Sequence, residues 1–170
     1  MAKAQTGAKA GAGAGATPAT MLLTRAGVAH VVHAYEAGPG AYGAAAAEAL
    51  GVEPKRLLKT LVAELDGRLV CGVVPVSGSL DLKLLAAALG GKRAVMAEPD
   101  AAERSSGYVV GGISPLGQRK PLPTAVDASV GTLDTVLVSA GRRGLSVELA
   151  PAELVRLTGA VVADLVRGSS

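Results

Sequence analysis

Two apolar runs rich in β-branched residues, LLKTLVAEL (57–65) and RLVCGVVPV (68–76), are separated only by Asp66 and Gly67. Asp-Gly suits a two-residue turn with positive φ at both positions, so the pattern predicts a β-hairpin with a type I′ turn. Before it, ATMLLTRAG (19–27) places Met21, Leu22 and Arg25 at helical spacing with Gly27 as a stop,. VAHVVHAY (28–35) reads as a strand. AYGAAAAEALG (41–51) reads as a helix closed by Gly51,.

After the hairpin, SLDLKLLAAALGG (79–91) predicts a helix with Ser79 as N-cap, Asp81 in the first turn and Gly90 at the stop,. The remainder alternates short strands, AVM (94–96), YVVGGI (108–113), TAVDAS (124–129), TVLVSAG (135–141) and LSVEL (145–149). One more helix, PAELVRLTG (151–159), opens with proline at its first position,. Strands outnumber helices and hairpins dominate. The expected class is therefore α+β, a mixed, mostly antiparallel and barrel-like sheet flanked by helices.

The pattern also marks domain limits. Residues 1–17 form an Ala-Gly tract without Leu, Ile or Val, too poor in apolar surface to offset chain entropy, and are expected to be a disordered tail,. Residues 18–167 then make a single domain, and 168–170 a frayed end. No internal repeat is visible.

Composition narrows the chemistry. Apolar residues make up 49% of the chain, yet it has no Phe or Trp and only three Tyr, so the core must be aliphatic. Seventeen basic against fourteen acidic residues is mild positivity. A few phosphate contacts are permitted, but a basic stripe coating duplex nucleic acid or an aromatic platform for successive bases is not. Cys71 is the single cysteine, which rules out an internal disulfide and a thiolate metal cluster and suits a reducing cytosol,. No apolar stretch approaches membrane-spanning length.

Nucleophilic catalysis finds little support. Ser114 lies in G-I-S-P-L-G and not in the G-x-S-x-G elbow, and Pro115 removes the following N–H donor,. His30 and His33, three apart on one predicted strand, point to opposite faces and cannot act as a pair. Cys71, inside VCGVV, reads as a buried small hydrophobe with a raised pKa. No His/Cys cluster has metal-ligand spacing, so neither a metal nor a cofactor is expected.

Three features keep two meanings each. GYVVGGISPLGQRK (107–120) holds four glycines. Gly111-Gly112 either lets the chain bend or lets a ligand approach bare peptide N–H groups. Lys59 shares a strand face with Leu57 and Leu61, as a snorkelling edge lysine or as a cation aimed at a ligand. Arg142-Arg143, between two glycines in a predicted turn, are solvated surface or a grip for a phosphate chain.

Five motifs in order resolve the choice: H-A-Y-E at 33–36, L-K-T-L at 58–61, L-D-L-K at 80–83, S-S-G-Y-V-V-G-G-I-S-P-L-G-Q-R-K at 105–120 and V-S-A-G-R-R-G-L-S-V-E-L at 138–149. From about Thr20 to about Val166 the chain resembles the YbaK-type cysteinyl-tRNA(Pro) deacylases, relatives of the editing domain of bacterial prolyl-tRNA synthetases. The resemblance implies a barrel-like mixed sheet and an enzyme of translation quality control, which removes cysteine wrongly esterified to the 3′ end of tRNA(Pro). It implies that Lys59 is the essential basic residue and that Gly111 lines the pocket beside the ester. Tyr35, Tyr42, Thr60, Gly112, Ser139 and Ser146 are implied on the substrate side, with Arg142 and Arg143 on tRNA phosphate.

The mechanism implied needs no enzyme nucleophile, metal or cofactor, because the substrate's own thiol attacks its carbonyl and expels the tRNA. Prolyl-tRNA synthetase is the implied partner, and the cytoplasm the implied location. An editing hydrolase for alanyl or another small aminoacyl-tRNA, and a non-catalytic tRNA- or synthetase-binding module, are the alternatives. The chain departs from the family pattern at Tyr42-Gly43-Ala44, where relatives carry Phe-Gly-Asp after a longer loop, and at Ala140, where a second glycine is usual. The missing acid at Ala44 bears on the helix entry and on fine selectivity.

Overall fold

The structure, a computed structural model, describes residues 16–36 and 43–167. Helix α1 (Pro18–Arg25) opens with a reciprocal capping box, in which the Thr17 hydroxyl accepts from Thr20 N–H and the Thr20 hydroxyl accepts from Thr17 N–H,. Thr17 also donates its hydroxyl to the Ala140 carbonyl at 2.5 Å. This residue, expected at the end of the tail, is therefore buried and part of the domain. The tail over 1–15 and the C-terminal 168–170 fall outside the described residues.

The chain continues through β1 (Val31–Ala34), α2 (Ala44–Leu50), β2 (Leu58–Leu65), β3 (Arg68–Pro75), α3 (Leu82–Ala88), β4 (Ala94–Met96) and α4 (Pro99–Ser106). It ends with β5 (Thr124–Asp127), β6 (Val136–Arg142), β7 (Leu145–Leu149), α5 (Pro151–Thr158) and β8 (Val161–Ala163). The predicted hairpin forms, with Leu65 opposite Arg68 and positive φ at both Asp66 and Gly67, which defines the type I′ turn,. The strands divide into two sheets of order β1-β7-β6 and β4-β2-β3-β5-β8. Only β3–β5 and β5–β8 pair in parallel, so the fold is mixed and mostly antiparallel as expected.

An isolated parallel bridge between Leu57 and Leu137 joins the sheets where β2 meets β6. One face of the larger sheet presents Leu58, Val73 and Val126 to Val136, Val138, Val147 and Leu149 of the smaller sheet, with α1 and α5 closing the same aliphatic core. The opposite face, through Ala63, Leu65, Val70 and Val74, packs on Leu85 and Ala86 of α3. Helix α2 sets Ala46 and Ala47 over Leu57 and Leu137 at the seam. Among the described residues no helix is long and apolar enough to cross a membrane.

Four local expectations change. Asp81, not Ser79, caps α3, accepting from Lys83 and Leu84 N–H at 2.8 and 3.1 Å. The cap is displaced because Leu80 bridges Val166 and Asp81 N–H bonds the Leu165 carbonyl, which keeps the chain extended up to that point. YVVGGI is a loop, because Tyr108 N–H turns back to the Ser106 hydroxyl and Gly112 N–H to the Val109 carbonyl, leaving no ladder to join. His30 precedes β1 and bonds the Val28 carbonyl through Nδ1, so it does not share a strand with His33. Helix α4 and strand β8 escaped the apolar pattern: α4 has little apolar content, and β8 is only three residues long.

Replacing Thr17 with Ala should lower unfolding free energy by about 1–2 kcal/mol, as for a lost N-cap. It should move the urea midpoint at unchanged slope. Thr17→Ser should restore most of it.

Candidate active site

Alternation along β2 sends Leu58, Thr60 and Val62 into the inter-sheet side and Leu57, Lys59 and Leu61 to the opposite face. Their packing follows that division. Leu58 belongs to the inter-sheet core, whereas Leu57 lies under α2 and Leu61 packs toward α3. Lys59 thus emerges between the two helices, half-buried and opposite Val74. Its ammonium has no hydrogen bond or ion pair among the described residues.

On the smaller sheet Val136, Val138, Ala140, Leu145, Val147 and Leu149 fill the inter-sheet core, so Ser139 and Ser146 face the other way,. These two serines are cross-strand partners, and His33 of β1 lies opposite Ser146. Lys59 and Ser139 each stand two residues beyond the Leu57–Leu137 bridge. Tyr35, at the end of β1, donates its N–H to the Gly144 carbonyl and packs against the cluster under α2. Lys59, Ser139, Ser146 and Tyr35 therefore converge on one face. Thr60 does not join them; its hydroxyl is buried without a partner among the described residues. Tyr42 lies outside the described residues.

The glycine loop is strapped onto this face. Ser139 Oγ donates to the Gly112 carbonyl at 2.9 Å and accepts from Gly141 N–H at 3.1 Å. A Cβ on Gly112 would lie 2.9 Å from the backbone of Arg142 and Arg143, so glycine is required for this approach,. Gly112 N–H is taken up by the Val109 carbonyl at 2.8 Å. Gly111, exposed and at φ 93°, is left with an N–H that has no partner among the described residues. Of the two glycines, one is packing and one presents an amide without a partner among the described residues.

Residues around the loop hold it rather than react. Arg143 Nε and Nη2 both donate to the Val110 carbonyl, at 3.0 and 2.7 Å, and Glu103 accepts from Val110 N–H at 2.8 Å. Tyr108 is buried against the loop's far end and donates to the Leu116 carbonyl at 2.7 Å; loss of solvent pushes its phenol up to about 12. Ser114 is fully buried, with Oγ accepting from Leu116 N–H. Cys71 is buried too, and desolvation raises its thiol above the ordinary range, as expected from its surroundings,. Neither is placed to attack a substrate. Among the described residues no group of three or more His, Cys, Asp or Glu side chains could hold a metal ion.

One charged cluster was missed by sequence reasoning. Glu148, on the same outward face as Ser146, bonds His33 Nε2 at 2.8 Å through one oxygen. Its other oxygen accepts from Arg56 Nη2 at 2.8 Å and Thr135 Oγ1 at 2.5 Å. Burial pushes the Glu148 carboxyl up, yet the bonds from Thr135 and His33 and the charge of Arg56 outweigh it and hold the group below its ordinary value,. His33 and Glu148 both stand in quoted motifs, but their pairing depends on the β1–β7 register. Gly43 is the N-cap of helix α2, which has no side-chain cap, in keeping with Ala44 in place of an acid.

Residues 39–157 match the family described as the aminoacyl-tRNA editing domain. A candidate Cys-tRNA(Pro)/Cys-tRNA(Cys) deacylase of Enterococcus faecalis, EbsC, is 40% identical over 121 residues, covering 70% of this chain and 73% of that protein. A proline–tRNA ligase of Moorella thermoacetica is 32% identical over 95 residues, covering 56% of this chain but 16% of the ligase. A solved structure of a candidate trans-editing enzyme for prolyl-tRNA synthetase superposes with TM-score 0.79 at 28% identity, covering 90% of this chain and 99% of that one.

Because the Glu148 carboxyl sits below its ordinary value when folded, the unfolded chain binds the proton more tightly. Its contribution to stability is present above the ordinary glutamate range and is lost as pH falls through the lowered value,. Glu148→Gln should therefore unfold more readily than wild type at neutral pH, and the gap should close on acidification, read by thermal unfolding across pH.

Proposed function

This chain belongs to the aminoacyl-tRNA editing domain family, and on that premise we propose that it is a deacylase clearing cysteine from mischarged tRNA(Pro), and from Cys-tRNA(Cys). The supporting observation is that the Gly111 N–H and the Lys59 ammonium both lack a partner among the described residues, while the single cysteine, Cys71, and Ser114 are buried. A site of this kind serves a substrate that carries its own nucleophile.

In the reaction the cysteinyl thiol forms a C–S bond to its own carbonyl carbon while the ester C–O bond breaks. The thiol proton passes to the departing ribose oxygen, and the resulting cyclic thioester opens later with water. The first step is lyase-like and the second hydrolytic. Gly111 N–H donates to the carbonyl oxygen as negative charge develops there, where one fixed donor contributes about 3 kcal/mol. Lys59, aimed between α2 and α3, binds the terminal ribose or a phosphate of the tRNA end. Holding sulfur close to carbon supplies much of the remainder, about 7–11 kcal/mol in favourable intramolecular cases.

Tyr35, Ser139 and Ser146 line the cysteinyl side, with Tyr42 expected there also. Thr60 supports Lys59 from the opposite face of β2. Gly112 contributes through its packing, since its own N–H is occupied. The modest net charge and the scarcity of aromatic residues leave tRNA choice to a partner, and prolyl-tRNA synthetase in the cytoplasm fits that role.

A thiol-dependent reaction predicts a sharp preference in single-turnover assays. Cys-tRNA(Pro) should be deacylated at least about a hundredfold faster than Ser-tRNA(Pro), the loss expected when the reacting group itself is weakened. Comparable rates on cysteinyl, seryl and alanyl esters would instead indicate attack by water and an alanyl-type editing hydrolase, and affinity without turnover a binding module. Lys59→Ala should abolish deacylation while leaving circular dichroism unchanged; full activity in that variant would sink the assignment.

A further inference from the structure

The hydrogen bond from Gly112 N–H to the Val109 carbonyl closes a four-residue turn with Val110 and Gly111 at its centre. Gly111 has φ 93°, while Val110 is not among the residues of positive φ, a combination that defines a type II turn,. A type I turn closes the same hydrogen bond with the central peptide rotated by about half a revolution. In a type I turn the Val110 carbonyl and the Gly111 N–H would exchange sides. Glycine at the third position tolerates either form, so the turn alone does not decide where the Gly111 N–H points.

Three side chains surround the turn, and they act on different peptides. Glu103 accepts from Val110 N–H and fixes the peptide before the centre. Ser139 donates to the Gly112 carbonyl and fixes the Gly112–Ile113 peptide just beyond the turn. The central peptide is held by Arg143, whose Nε and Nη2 converge on the Val110 carbonyl oxygen. Because a trans peptide is planar, an oxygen held on one side directs the N–H to the other. A guanidinium on that oxygen also draws electron density from the amide and strengthens its N–H as a donor.

We propose that Arg143 is a positioning residue: it locks the Val110–Gly111 peptide in the type II orientation, so that the Gly111 N–H faces the substrate carbonyl. This assigns Arg143 a role other than gripping tRNA phosphate, and it rests on the deacylase reading above. The two bonds converging on one oxygen need the fork of a guanidinium. A lysine can supply only one point donor there.

The test combines kinetics with the amide itself. In Arg143→Ala, kcat for Cys-tRNA(Pro) should fall about tenfold or more, part of the loss typical of a misplaced oxyanion donor. KM and its salt dependence should stay unchanged, and Arg143→Lys should recover only part of the rate. In 15N-labelled protein the Gly111 amide resonance should be single in wild type, then shift and show microsecond-to-millisecond exchange broadening in Arg143→Ala, with resonances of the β2–β3 hairpin unmoved. An unperturbed Gly111 resonance overturns the proposal. So does a variant whose defect lies wholly in KM with a shallower salt slope, the signature of a lost phosphate contact. If wild-type protein fails to deacylate, the deacylase reading falls, and the Gly111 resonance still decides whether Arg143 sets that peptide.

Discussion

The close approach of Gly112 to the backbone at Arg142 and Arg143 is the contact on which the rest of the site depends. A loop with neither strand nor helix in it lies against the end of a β-hairpin at a distance that admits no side chain. Once there, its carbonyl meets the Ser139 hydroxyl and its neighbour Val110 meets the Arg143 guanidinium. Gly141 and Gly117 extend the same constraint, since a Cβ at either would run into the Tyr108 ring or the Pro18 carbonyl. The glycines that look from the sequence like freedom are, in the fold, places where backbones touch.

That contact has meaning because two sheets share a seam. The inter-sheet core uses one face of β2 and of β6, which forces Lys59 and Ser139 onto the other. The bridge at Leu57 and Leu137 then sets them level. Helix α2 covers the seam from one side and α3 stands on the other, so the lysine stem is flanked by apolar side chains while its head has no partner among the described residues. The proposed reaction needs an arrangement of this kind, with donors placed in advance of the charge they will meet.

The electrostatic picture is divided accordingly. Charges that are satisfied, such as Glu148 with Arg56, His33 and Thr135, tie strands together beside the site. Two of the groups left without partners among the described residues, the Lys59 ammonium and the Gly111 amide, are the ones proposed to meet the substrate. Cys71 and Ser114, chemically the obvious nucleophiles, are taken out of play by burial and by local hydrogen bonds.

Alternation and turn residues were sufficient to predict the β2–β3 hairpin, the β6–β7 pair, helices ended by Gly51 and started by Pro151, and the face that Lys59 shares with Leu57 and Leu61, because these are local consequences of backbone geometry and side-chain period. Ordered motifs identified the family through residues that keep their spacing. The sequence alone could not say that Asp81 displaces Ser79 as a cap, that YVVGGI forgoes a ladder, or that His33 meets Glu148. The cap and the ion pair depend on partners distant along the chain, Leu165 for Asp81 and the β1–β7 register for His33 and Glu148, whereas the loop's amides turn back on near neighbours, Ser106 and Val109, instead of a ladder strand. Local propensity chooses the elements; which donors remain free to act is decided only when packing has engaged all the others.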